Sequence, residues 1–135
     1  MHTADQTAPA SKTALWAGRI ASALVVMFLI FDGVIKLMEI GPVLESFAEL
    51  GYPASQARGI GILVLACCLL YAIPRTSVLG AILVTGLLGG AITSHVRVGD
   101  PVFSHVLFGA YIGVFAWGGL FLRDVRLRAL LPVRR

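Results

Sequence analysis

Apolar residues run along this chain in four long blocks, at about residues 14–38, 57–73, 78–96 and 102–122, and polar residues collect between them. At about 1.5 Å of rise per residue, helices of this length cross, or nearly cross, a hydrocarbon core of roughly 30 Å. The second block is the shortest, and residues near Ser55 extend it. No window alternates strictly between polar and apolar positions, as the strands of a membrane barrel would. The backbone must therefore satisfy its own hydrogen bonds within helices. The pattern predicts an all-α fold, a bundle of four transmembrane helices.

The connections carry their own signals. In "GPVLESFAELGYP", Val43, Leu44, Phe47 and Leu50 share one helical face while Glu45 and Glu49 lie elsewhere, which predicts a short interfacial helix on the outer membrane surface between helices one and two. "PRTS" stops the second helix at Pro74 and offers Thr76 or Ser77 as the N-cap of the third. In "VGDPVF", Gly99 suits a C-terminal cap, Asp100 an N-cap and Pro101 the first position of the fourth helix. The small residues of "GLLGG" and "GAYIG", at residues 86–90 and 109–113, read as close-packing surfaces, either inside the bundle or between the subunits of a homodimer.

Composition strengthens the membrane reading. Of 135 residues, 58% are hydrophobic and only 13% charged, against about 25% charged in soluble domains, and the mean hydropathy is +0.89. A soluble domain of this length could not bury so much apolar surface. The net charge of +4 is mostly a topological signal. Lys12, Arg19, Arg75, Arg123, Arg126, Arg128, Arg134 and Arg135 fall at one end of the spans, and Lys36, Arg58 and Arg97 at the other. That bias predicts cytoplasmic N- and C-termini and accounts for the basic tail without a nucleic-acid partner. The expected organisation is a flexible segment at 1–12, a membrane domain at 13–123 and a basic tail at 124–135. The N-terminal residues lack the pattern of a cleaved signal, so the first helix is expected to remain as an anchor. Trp16 and Tyr71 are expected as interfacial rings at the cytoplasmic boundary.

Five ionisable groups interrupt the apolar pattern, all toward the predicted outer end. "FDGVIKL" places Asp32 about six residues, or roughly 9 Å, inside the end of helix one, with Lys36 one turn later. Glu39 is expected to continue that face, giving Lys36 a carboxylate on either side. A lone charge at the bilayer centre costs about 2.5–3.5 kcal/mol on insertion scales, and pairing lowers that cost. In "ITSHVRVGDPVFSHVLF", His95 and His105 are equally spaced about Asp100, so a helical hairpin brings them to similar depth, with Arg97 nearer the boundary. The cytoplasmic half of the spans carries only Arg19, which snorkels to the headgroups.

Several chemistries suit Asp32, Lys36, His95, Arg97 and His105. They can simply pair and cap helix ends, or form a ligand pocket for a polar-headed lipophilic molecule such as a quinone, with Phe28, Phe31, Phe103 and Phe108 over its ring. Intramembrane Asp and His also serve ion or proton pathways. A metal site is not predicted, because the ten-residue separation of the histidines matches no chelating motif. The adjacent Cys67 and Cys68 sit mid-span and are assigned to packing, since neighbouring residues cannot form an unstrained disulfide.

"FDGVIKL", "ELGYP", "LLYAIPRTSVLGAILVTGLLGGAITSHVRVGDP" and "LRDVRLRALLP" together resemble the DoxX-like proteins of the DoxX/DoxD group over about residues 15–132. The resemblance implies a four-helix bundle in the bacterial inner (cytoplasmic) membrane. Some relatives are linked to quinone-dependent sulfur oxidation or to other membrane oxidoreductase systems. The expected function is thus an accessory, non-catalytic subunit of a membrane redox system holding a quinone; a small dimeric transporter or proton-linked permease and a structural assembly factor are the alternatives. The resemblance supplies no catalytic residues.

Overall fold

Four membrane-length helices form in a computed structural model that describes residues 11–131. The expected flexible segment lies outside those residues up to position 10, as do Arg134 and Arg135. Helix α1, Lys12–Leu37, opens on Ser11, whose side chain accepts from the amide of Ala14 at 3.1 Å. A short helix α2, Gly41–Leu50, follows. It buries Val43 and Phe47, exposes Glu45 and Glu49 as the sequence predicts, and ends on Gly51 in the left-handed conformation. Helix α3, Ala57–Ala72, is preceded by a 3-10 turn, Ala54–Gln56, that lengthens this span. Helix α4 runs Ser77–Arg97 and α5 Phe108–Arg123, and a final short helix α6 covers Val125–Leu130. Among the described residues there is no strand.

The four long helices close into a ring, α1 against α3 and α5, α3 against α4, and α4 against α5. Their outward faces are studded with exposed Met27, Phe31, Ile62, Leu69 and Val114, which in water would be a fatal apolar surface and in a bilayer is the lipid-facing side. The protein is an integral, multi-pass membrane protein. Its core is Val25, Leu29, Val64, Cys67, Cys68, Tyr71, Ala81, Val84, Ala116 and Leu120, so both cysteines pack as expected and neither is in a disulfide.

With no hydrophobic drive between helices in lipid, close backbone approach supplies much of the association. The tightest approaches come from glycines outside the two stretches the sequence singled out. A methyl group at Gly80 of α4 would overlap the backbone of Tyr71 in α3. One at Gly18 of α1 would lie 2.7 Å from the carbonyl oxygen of Gly119 in α5, and one at Gly61 of α3 2.9 Å from that of Gly33 in α1. In contrast, a methyl at Gly86, Gly89 or Gly90 would meet nothing within 4 Å, so these residues are not packing surfaces inside the bundle. Gly109 does pack, against Ile92 and the backbone of Leu88.

Two turn assignments also change. Thr76 and Ser77 do not cap α4 with their side chains; they serve the end of α3 instead. Thr76 Oγ1 donates to the carbonyl of Leu70 at 2.7 Å and Ser77 Oγ to that of Tyr71 at 2.7 Å, satisfying acceptors that a helix C-terminus leaves open. Gly99 does end α4, with φ of 75°. Its amide reaches Val96 O and that of Asp100 reaches His95 O, both at 3.1 Å, the paired bonds of a Schellman motif. Asp100 caps no helix with its side chain, and α5 is entered through a π-helical turn, Val102–Val106, after Pro101.

Candidate functional site

Asp32 and Lys36 form the first wall of the site. Their four-residue spacing puts them one turn apart on α1, and Lys36 Nζ lies 2.6 Å from Asp32 Oδ1. Glu39 does not extend this pair. Helix α1 has ended, Glu39 has φ of 51°, and its carboxylate instead lies 3.6 Å from Arg58 Nε. Lys36 therefore meets one carboxylate, from one side.

The helical hairpin of α4 and α5 forms the second wall. The predicted symmetry about the turn holds: the rings of His95 and His105 stand edge to face with centroids 5.7 Å apart. His95 Nδ1 meets Asp100 Oδ2 at 2.5 Å, so Nδ1–H donates to the carboxylate and Nε2 is the nitrogen left for a ligand. Freed from capping, Asp100 orients a histidine. His105 Nδ1 is 2.8 Å from Ser104 Oγ, and the π-helical turn that carries it is a distortion frequent at functional sites.

Between these walls lies a cavity of about 470 Å³. Asp32, Lys36, His95 and His105 all line it, against an apolar surround that includes Phe28, Leu29, Phe47, Val64 and Phe108. Phe28 and Phe108 meet edge to face at 5.2 Å. Phe31 and Phe103 do not share in this; they are 64% and 79% exposed and point to the outside of the bundle. Among the described residues no three His, Cys, Asp or Glu side chains converge as metal ligands.

Arg97, the fifth residue singled out in the sequence, stands outside the cavity. Its Nη2 donates to the carbonyl of Leu50, tying α4 to the end of α2. Tyr52, in the "ELGYP" stretch, makes a second tie: its hydroxyl is 2.7 Å from Ser94 Oγ. Ser94 spends its own proton on the Gly90 carbonyl at 2.9 Å, which makes Tyr52 the donor. These two bonds strap α2 across that end of the cavity. Spacing along the chain gave no warning of either, because each joins residues more than forty positions apart.

The opposite end of the bundle also carries a polar network, joined by a residue that the sequence placed only among the basic groups at that end. Arg123, at the end of α5, turns across to α1. Its Nη2 donates to Ser22 Oγ at 3.0 Å, Ser22 Oγ meets Tyr71 OH at 2.8 Å, and Tyr71 OH donates to the Ala116 carbonyl at 2.7 Å. Tyr71 is 1% exposed; it is a core residue joining α1, α3 and α5, and not the interfacial ring its position suggested. Trp16 is 56% exposed and suits that role, with the Arg19 guanidinium 5.4 Å from its ring.

Residues 20–119 match the profile of the DoxX-like family. The chain belongs to the DoxX-like family. The match takes in the second and third membrane helices and most of the first and fourth, including Asp32, Lys36, His95 and His105, and stops short of the basic tail. No curated protein and no solved structure matches the chain.

Proposed function

We propose that this DoxX-like protein is an accessory subunit of a membrane redox system in the bacterial cytoplasmic membrane, and that its cavity holds a quinone or a similar lipophilic molecule with a polar head. The observation that carries this reading is the convergence of Asp32, Lys36, His95 and His105 on one otherwise apolar cavity. Ligand sites are commonly apolar with a few convergent polar groups. The Lys36 ammonium and the imidazoles can donate to carbonyl oxygens, while the Asp32 carboxylate accepts from a hydroxyl. A molecule carrying both groups, as a quinone does across its reduction, finds a partner here in either form. The excess of Lys and Arg at the end holding Arg19, Arg75 and Arg123 supports cytoplasmic termini and, with them, a cavity toward the outer face.

Protein purified from native membranes in mild detergent should release a lipid that absorbs in the ultraviolet, close to one per chain. Asp32→Asn and His95→Ala should each lower its yield by about ten-fold, the effect of losing one charge-assisted hydrogen bond in an apolar site. Ligand-free protein from quinone-replete membranes would contradict the reading.

A further inference from the structure

The cavity is covered at one end by α2 and bounded on one side by exposed residues of two membrane spans. At its end, α2 is held across by the Tyr52 to Ser94 and Arg97 to Leu50 bonds, with Phe47 buried beneath. On the side, α3 and α4 touch backbone to backbone at Tyr71 and Gly80 but leave a gap farther along. There the cavity is walled by Leu63 of α3 and by Gly86 and Gly90 of α4, all three exposed. A methyl at either glycine would meet nothing within 4 Å. Both walls belong to membrane-spanning segments, so hydrocarbon is what abuts the gap.

Resting on the cavity being a ligand site, we propose that it is loaded sideways from the bilayer, through the cleft between α3 and α4, and that the cleft then holds the apolar chain of the bound molecule. The ligand class is thereby narrowed to amphiphiles with a compact polar head and a long, slender hydrocarbon tail. The head meets Asp32, Lys36, His95 and His105; the tail leaves past Leu63, Gly86 and Gly90 into the lipid. Side chains at the two glycines would occupy the tail's path, which gives these positions a purpose that packing inside the bundle does not.

The test uses the full chain in phosphatidylcholine vesicles containing a phospholipid with a photoreactive diazirine on its acyl chain. Adducts on Leu87, which lines the cavity, should accompany those on the lipid-facing Val114. The double variant Gly86→Leu, Gly90→Leu should lose the Leu87 adducts by about ten-fold and keep those on Val114, and the double alanine variant should show a smaller loss in the same direction. In a second arm, long-tailed and tail-less benzoquinones are titrated against the same proteins. The leucine variant should bind the long-tailed form about ten-fold more weakly and the tail-less form unchanged. Wild-type adducts confined to outer faces would overturn the cleft. So would equal binding of both quinones by variant and wild type, although the cavity as a ligand site would survive that result. Labelled Leu87 with no quinone bound keeps the cleft as an apolar-chain site and removes the quinone. Efficient disulfide pairing of Gly89→Cys chains in the vesicles, with Leu87 unlabelled, would show a second copy of the chain in the cleft instead.

Discussion

The two ends of the bundle are built on opposite terms. Around Tyr71, glycines bring backbones together and a chain of hydrogen bonds from Arg123 through Ser22 and Tyr71 to Ala116 joins three helices. Around Asp32, Gly86 and Gly90 of α4 have no neighbour, and Asp32, Lys36, His95 and His105 line a cavity, each bonded only within its own wall. The same residue types, Gly with Ser, Tyr and a charged partner, thus serve cohesion at one end and vacancy at the other. What differs is the neighbour. Gly80 has the backbone of Tyr71 against it, whereas Gly86, less than two turns later on the same helix, has nothing.

The largest break in that comparison should come from one substitution placed at both ends. Gly80→Val forces a branched side chain into the Tyr71 backbone and should cost about 3 kcal/mol or more, enough to abolish folded protein on size exclusion in detergent. Gly86→Val should shift thermal unfolding by no more than about 0.5 kcal/mol, the range of a change with no close neighbour. Next in size, Tyr71→Phe removes the donor to the Ala116 carbonyl and the acceptor of the Ser22 hydroxyl proton in the core and should destabilise by about 1–3 kcal/mol in denaturant titration. Tyr52→Phe removes only one strap and should cost about 1 kcal/mol or less, its clearer sign being faster hydrogen exchange in the amides of α2. The smallest effect concerns α6. Asp124 accepts from the amides of Arg126 at 2.9 Å and Leu127 at 3.4 Å, and Asp124→Ala should cost about 1 kcal/mol of helix stability, read as increased proteolysis of the tail. If Gly86→Val proved as damaging as Gly80→Val, the distinction between a tight and an open end would fail.

Which parts were legible in the chain follows from the range of the forces involved. The four spans and the α2 helix were readable because apolar periodicity and length act locally. Asp32 with Lys36, and His95 with His105, were readable because helical spacing and the symmetry of a hairpin turn are also short-range constraints. Glu39 was misplaced because α1 ends at Leu37 and the chain turns through Glu39 itself, whose positive φ its residue type does not announce. Asp100 looks like an N-cap from its place before Pro101, yet its carboxylate is captured by His95, five residues back. The core role of Tyr71 and the cross-helix bonds of Arg123 and Arg97 were not legible for a common reason. Each is a boundary residue whose role depends on a partner on another helix, and only the assembled ring decides whether it faces lipid headgroups, the core or a strap.

The most direct test of the central claim is a high-resolution map of the protein purified from native membranes. The account predicts density for one bound molecule, with polar atoms within hydrogen-bonding distance of Lys36, His95 or His105 and a chain running past Gly86 and Gly90 into the surrounding lipid. A collapsed space with α3 and α4 packed together from Gly86 onward, or with Asp32 and the two imidazoles turned out of the bundle, would contradict it.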